Sequence, residues 1–91
     1  MTVLSAKLVI RIPWAISLKD KRQLRRSIID KSRQKFNISI AEVDTQDAHQ
    51  TLTLGLAVVS GEPGHAREML DKVVRFIESN IDAKIISLEI V

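Results

Sequence analysis

Apolar and polar residues alternate from Ala6 to Ile12. Ala6, Leu8, Ile10 and Ile12 face one way and Lys7, Val9 and Arg11 the other, which predicts a half-buried strand. Pro13 lacks an amide hydrogen and ends it. Ser17 is a predicted helix N-cap, and Asp20 three residues later makes a weak form of the capping box. A helix is predicted from Leu18 to about Phe36 with a thin apolar stripe: Leu18, Leu24, Ile28, Ile29 and Phe36. Lys21, Arg25 and Ser32 project into the same sector. Asn37 is a plausible stop. From Ile38 to Asp44 a second strand is predicted. Its apolar positions shift from Ile38 and Ile40 to Ala41 and Val43, which calls for a β-bulge or a short edge strand.

Thr45 to Gln50 reads as a hairpin connection. Leu52, Leu54, Leu56 and Val58 then mark one face of a third strand over 51–60. Gly61 to Gly64 is a turn with Pro63 near the first helical position. Ala66, Met69, Leu70, Val73, Val74 and Ile77 give the clearest helical spacing in the chain, over about 63–79. A final strand over 83–90 places Ile86, Leu88 and Ile90 on one face and Ile85, Ser87 and Glu89 on the other. The order strand, helix, strand, strand, helix, strand predicts a single α+β domain over 1–91 with the ferredoxin-like βαββαβ topology. Right-handed crossovers put both helices on one face of a four-stranded antiparallel sheet ordered 4-1-3-2. The sheet's expected core residues are Leu8, Ile10, Leu54, Leu56, Ile86 and Leu88.

The stretch Ser17-Leu18-Lys19-Asp20-Lys21-Arg22, the run from Phe36 to Asp44, Gln46-Asp47, the run from Leu54 to Ser60 and Phe76-Ile77-Glu78 together resemble the YlxP-like family. This is a bacterial domain of unknown function. The resemblance covers nearly the whole chain and implies the ferredoxin-like fold. Frequent placement of its genes beside translation and ribosome-maturation genes implies association with RNA or the ribosome. It brings no established activity and no recognised catalytic residues. The chain departs from the family where His49 replaces a common Trp and where Ser32 replaces an apolar residue.

Composition sharpens this picture through the distribution of charge. Leu, Ile, Val and Phe make up about a third of the chain, which excludes a disordered composition. The absence of cysteine excludes disulfides, thiolate catalysis and cysteine zinc sites. Lys7 and Arg11 interrupt the first apolar stretch, so neither a signal peptide nor a membrane span is expected, and the protein reads as cytoplasmic. The net charge is +3, but residues 18–36 hold eight bases against two acids, or +6; the remainder carries six bases and nine acids, or −3. At 100° per residue, Lys19, Arg22, Arg26 and Arg33 share a sector roughly 60° wide. Cations in the first turns oppose the helix dipole. Free amides at a helix start add to cationic side chains as an anion site.

These features predict a small non-enzymatic protein that binds RNA or a ribosomal particle through Lys19, Lys21, Arg22, Arg25, Arg26 and Arg33, without cofactor or metal. The competing reading is a solvated helix face on a homodimer or protein-interaction module. The predicted open sheet face (Lys7, Val9, Arg11, Thr51, Thr53, Gly55 and Ala57) has no aromatic for base stacking. Val9, Thr53, Val59 and Ile85 make it moderately apolar, which suits self-association. Trp14 is expected to cover one end of the core, with stacking on a base as the alternative. Asp44, Asp47 and His49 could in principle form a metal or acid–base site, but turn chemistry explains them more simply. His65 is expected to be exposed, and Ser60 has no evident base.

Overall fold

The computed structural model describes all 91 residues, and the alternations resolve into six elements. They are β1 (Thr2–Arg11), α1 (Leu18–Lys35), β2 (Ser39–Glu42), β3 (Thr51–Ser60), α2 (Pro63–Ser79) and β4 (Lys84–Ile90). All strand pairs are antiparallel, in the order β2-β3-β1-β4. This is the ferredoxin-like architecture predicted above.

β1 and β3 form the spine, paired without interruption from Thr2↔Ser60 to Arg11↔Thr51. Ala6, Leu8 and Ile10 therefore sit beside Leu56, Leu54 and Leu52, and all six are buried. α2 closes this face with Ala66, Leu70, Val73 and Ile77, at i, i+4, i+7 and i+11. Pro63 starts α2, where its missing amide hydrogen has no helical partner to lose. α1 is anchored by Ser17, whose Oγ accepts from the Asp20 amide at 3.3 Å. Its only buried apolar residue is Ile28; Leu24, Ile29 and Phe36 pack on the core from partly buried positions.

The structure decides between the two readings of the second strand, shortens that strand from the predicted 38–44, and corrects the expected core. β2 spans only four residues, and its register with β3 does not shift. The change of face near Ala41 therefore reflects the end of a short edge strand, after which Asp44 takes a left-handed φ of 66°. The irregularity lies instead between β1 and β4, where Val9↔Ser87 is followed by Ile10↔Ile85 and Ile86 has no opposite residue. The expected core is corrected at β4: Ile86 and Leu88 are 52% and 38% exposed. β4 is an edge strand, and the helices pack mainly over β3, β1 and β2, so beyond Ile85, which packs on the core, its helix side is left bare.

Candidate anion-binding surface

The inward face of α1 carries two charges among its apolar residues. Lys21, Arg25, Ile28 and Ser32 follow one helical stripe, and Lys21 is fully buried. Its ammonium lies 2.8 Å from Glu42 Oε2 and donates to the Thr45 carbonyl at 2.6 Å. The Gln46 and Thr51 carbonyls lie at 3.3 and 3.4 Å. Glu42, on β2, is 5% exposed, and its Oε1 accepts from Arg25 Nη1 at 2.8 Å. Burial pushes the Glu42 carboxyl up, but the hydrogen bonds and positive charges of Lys21 and Arg25 together outweigh it and hold the group below its ordinary value. The triad fastens the β2–β3 connection to the start of α1.

Lys21 is therefore removed from the predicted phosphate contacts: its charge is neutralised in the interior. Arg25 is 31% exposed and committed to Glu42. Sequence spacing had placed both residues in the apolar sector, and Glu42 was the partner that spacing alone did not supply.

The outer stripe remains. Lys19, Arg22 and Arg26 are exposed and make no ion pair or side-chain hydrogen bond. Arg33 is also exposed, with Nη2 donating to the Ile40 carbonyl at 3.0 Å. At 1.5 Å per residue, Lys19 to Arg33 spans about 21 Å. The helix start itself is not a vacant anion site: Asp20 Oδ2 accepts from the Ile16 amide at 3.0 Å and brings the chain's own carboxylate there.

A second cationic region lies where the ends of α1 and α2 meet. Lys35, Phe36, Lys72, Arg75, Phe76 and Ser79 line an open depression of about 420 Å³. The two rings meet edge to face at 5.5 Å, and the Lys35 ammonium sits 4.8 Å from the Phe76 centroid. Lys72 and Arg75 have no acidic partner within ion-pair distance.

The other candidates are dispersed. Asp44 pairs with Lys7 at 2.6 Å, and no group of three His, Cys, Asp or Glu residues comes together that could hold a metal. Thr53 lies on the sheet face away from the helices, opposite Val9, but is buried there: its hydroxyl meets that of Thr45 at 3.1 Å, and its amide donates to Thr45 Oγ1 at 3.0 Å. On β1 and β3 the exposed large apolar residues of that face are the paired Val3 and Val59. Trp14 is 45% exposed and donates to the Asp82 carbonyl; Ile12 and Ala15 fill that end of the core instead. Ser60 Oγ lies 2.9 Å from His65 Nδ1 and accepts from the Glu62 amide at 3.1 Å. Proximity across the turn forms this pair, but no side chain hydrogen-bonds the other ring nitrogen, so it lacks the orienting group of a nucleophilic triad.

Comparison with known proteins agrees with this fold and leaves the activity unassigned. The chain is 38% identical over 63 residues to the uncharacterised protein YlxP of Bacillus subtilis (strain 168), covering 69% of this chain and 68% of that protein. Its backbone is similar to the solution structure of a de novo designed protein with a ferredoxin fold, LFR1 1. The TM-score is 0.67 at 17% identity, over 99% of this chain and 85% of the designed one. A likeness at that identity carries the fold alone. Over residues 3–90 the chain matches, and it belongs to, the family described as "Protein of unknown function (DUF503)".

Proposed function

We propose that the outer stripe of α1 binds the phosphate backbone of RNA, free or within a ribosomal particle, and that the protein acts in the cytoplasm as a binding protein without a reaction of its own. One observation carries the reading: the helix divides its cations. Lys21 and Arg25 turn inward to a carboxylate, whereas Lys19, Arg22 and Arg26 stand exposed with no counter-charge in the chain. Arg33 extends the row toward β2. Guanidinium groups bind phosphate oxygens bidentately, and each neutralised phosphate releases counterions. The row of about 21 Å matches roughly six nucleotides of one strand at about 3.4 Å of axial rise. The depression at Lys35, Lys72 and Arg75 offers further unpaired cations to the same chain.

The test is charge reversal at Lys19, Arg22 and Arg26, which have no structural partner to lose. The triple variant should keep the wild-type circular dichroism spectrum and lose co-sedimentation with ribosomal subunits and crosslinking to cellular RNA. Three to four phosphate contacts predict a logarithmic salt slope of about −2 to −3. Equal sedimentation of wild type and variant, or a flat salt response, rejects the reading. Binding that survives RNase treatment would assign the stripe to an acidic protein partner instead.

A further inference from the structure

The last strand combines two unsatisfied surfaces. Val91 donates its amide to the Ser5 carbonyl at 3.0 Å. By antiparallel alternation, Glu89 and Ser87 then direct their backbone groups toward Lys7 and Val9. Leu88 and Ile90, one step out of phase, point their amides and carbonyls away from the sheet. The same two residues lie on the helix side, opposite Leu8 and Ala6, where no helix covers them; they are 38% and 42% exposed. An edge with free backbone groups and bare aliphatic side chains is a template for another strand.

The sequence of β4 identifies that strand. Ile85, Leu88 and Ile90 occupy the helix side and Lys84, Ser87 and Glu89 the open side, with the phase shifted by the bulge at Ile86. A second β4 laid antiparallel must match this broken alternation. Placing Lys84 opposite Glu89 of the second copy does so: Ile85 then faces Leu88, and each pairing occurs twice about a two-fold axis. Placing Leu88 opposite its own copy loses the match beyond the bulge. The open side then carries two opposite-charge cross-strand pairs and the helix side two aliphatic ones.

We propose that a second copy of this chain docks on β4, edge to edge and antiparallel, to form one continuous eight-stranded sheet with Lys84 of each copy opposite Glu89 of the other. Such an isologous contact closes on itself and leaves no growing edge at β4. It also uses a surface separate from the outer stripe of α1, so it stands or falls independently of RNA binding.

The experiment is sedimentation equilibrium of the full chain at concentrations up to about 100 µM, where a modest dimer is populated. Wild type should dimerise. Leu88→Lys should be monomeric with an unchanged circular dichroism spectrum. Lys84→Glu and Glu89→Lys should each weaken the dimer about tenfold or more, because each places like charges opposite one another twice. The double exchange Lys84→Glu/Glu89→Lys should restore it to within about threefold of wild type, since the pairs are re-formed with signs reversed. A monomeric wild type overturns the proposal. So does a dimer indifferent to Leu88→Lys, or a double exchange as weak as the single variants.

Discussion

Glu42→Gln isolates the energetics of the buried triad. The amide keeps the shape of the side chain but removes the only acid paired with Lys21. The ammonium is then left in the interior among the carbonyls of Thr45, Gln46 and Thr51. Breaking a buried ion pair from one side costs about 3–5 kcal/mol. Those carbonyls and the partial exposure of Arg25 put this case at the lower end, about 3 kcal/mol. A chain of this length has a total stability of about 5–14 kcal/mol. The melting temperature should fall by about 12–24 °C. Urea unfolding followed by fluorescence of Trp14, the single tryptophan, measures the change. Lys21→Met, which keeps most of the aliphatic stem, and the double variant complete a cycle. With both charges gone neither is stranded, so the double variant should be at least about 1.5 kcal/mol more stable than additivity predicts. A Glu42→Gln loss below about 0.5 kcal/mol, or an additive double variant, would refute the buried-pair argument. The pH profile offers a second check. The folded carboxyl titrates below its ordinary value of 4.5, so its stabilisation is complete above that value. It is lost as pH falls through the lower folded value, and Glu42→Gln should abolish that part of the acid dependence.

Three further outcomes follow from the same geometry. Ser32 is fully buried and its Oγ has no partner, so Ser32→Ala should raise stability by about 1 kcal/mol in urea unfolding. Gly55 lies under Val43, where an added Cβ would sit 3.3 Å from Cγ1; Gly55→Val should therefore destabilise by about 1–3 kcal/mol, with Thr53 amide exchange accelerated. The Lys7 ammonium is raised above 10.5 by its hydrogen bond to Asp44, then by the charges of Asp44 and, more weakly, Glu89, against a small opposing effect of burial. Its contribution is full below 10.5 and lost as pH rises through the raised value, so Asp44→Asn should flatten the alkaline limb of the stability profile.

Where one periodicity ran through a whole element, the sequence was readable. The α2 stripe from Ala66 to Ile77 and the alternations in β1 and β3 led directly to the core and the topology. Two features escaped for opposite reasons. In β4, continuous alternation of Ile86, Leu88 and Ile90 pointed to a core face, but one bulge residue and an edge position without helix cover put Ile86 and Leu88 at the surface. Neither is local to the strand. In α1, the apolar sector did include Lys21, Arg25 and Ser32, so the burial signal was present. Its chemistry was not, because the carboxylate that compensates Lys21 lies 21 residues away on an edge strand.

Burial also changes what the basic helix can recognise. A count of +6 over residues 18–36 treats every cation as equivalent, whereas an anion meets only those that keep both exposure and charge. With Lys21 neutralised inside and Arg25 held by Glu42, the positive potential concentrates along Lys19, Arg22, Arg26 and Arg33, away from the core. A narrow row contacts one extended backbone more readily than it surrounds a compact ligand. Lys19, Arg22 and Arg26 have no partner within the fold, so their charges can be reversed at a cost near the usual ±0.5 kcal/mol for surface sites. The inward pair has no such freedom. On the proposed RNA-binding reading, a variant that loses binding through the outer row should therefore retain wild-type stability, whereas loss of binding through Lys21 or Glu42 should follow the loss of fold. On that reading the two faces of one helix separate recognition from stability, and urea midpoints measured beside binding constants resolve them residue by residue.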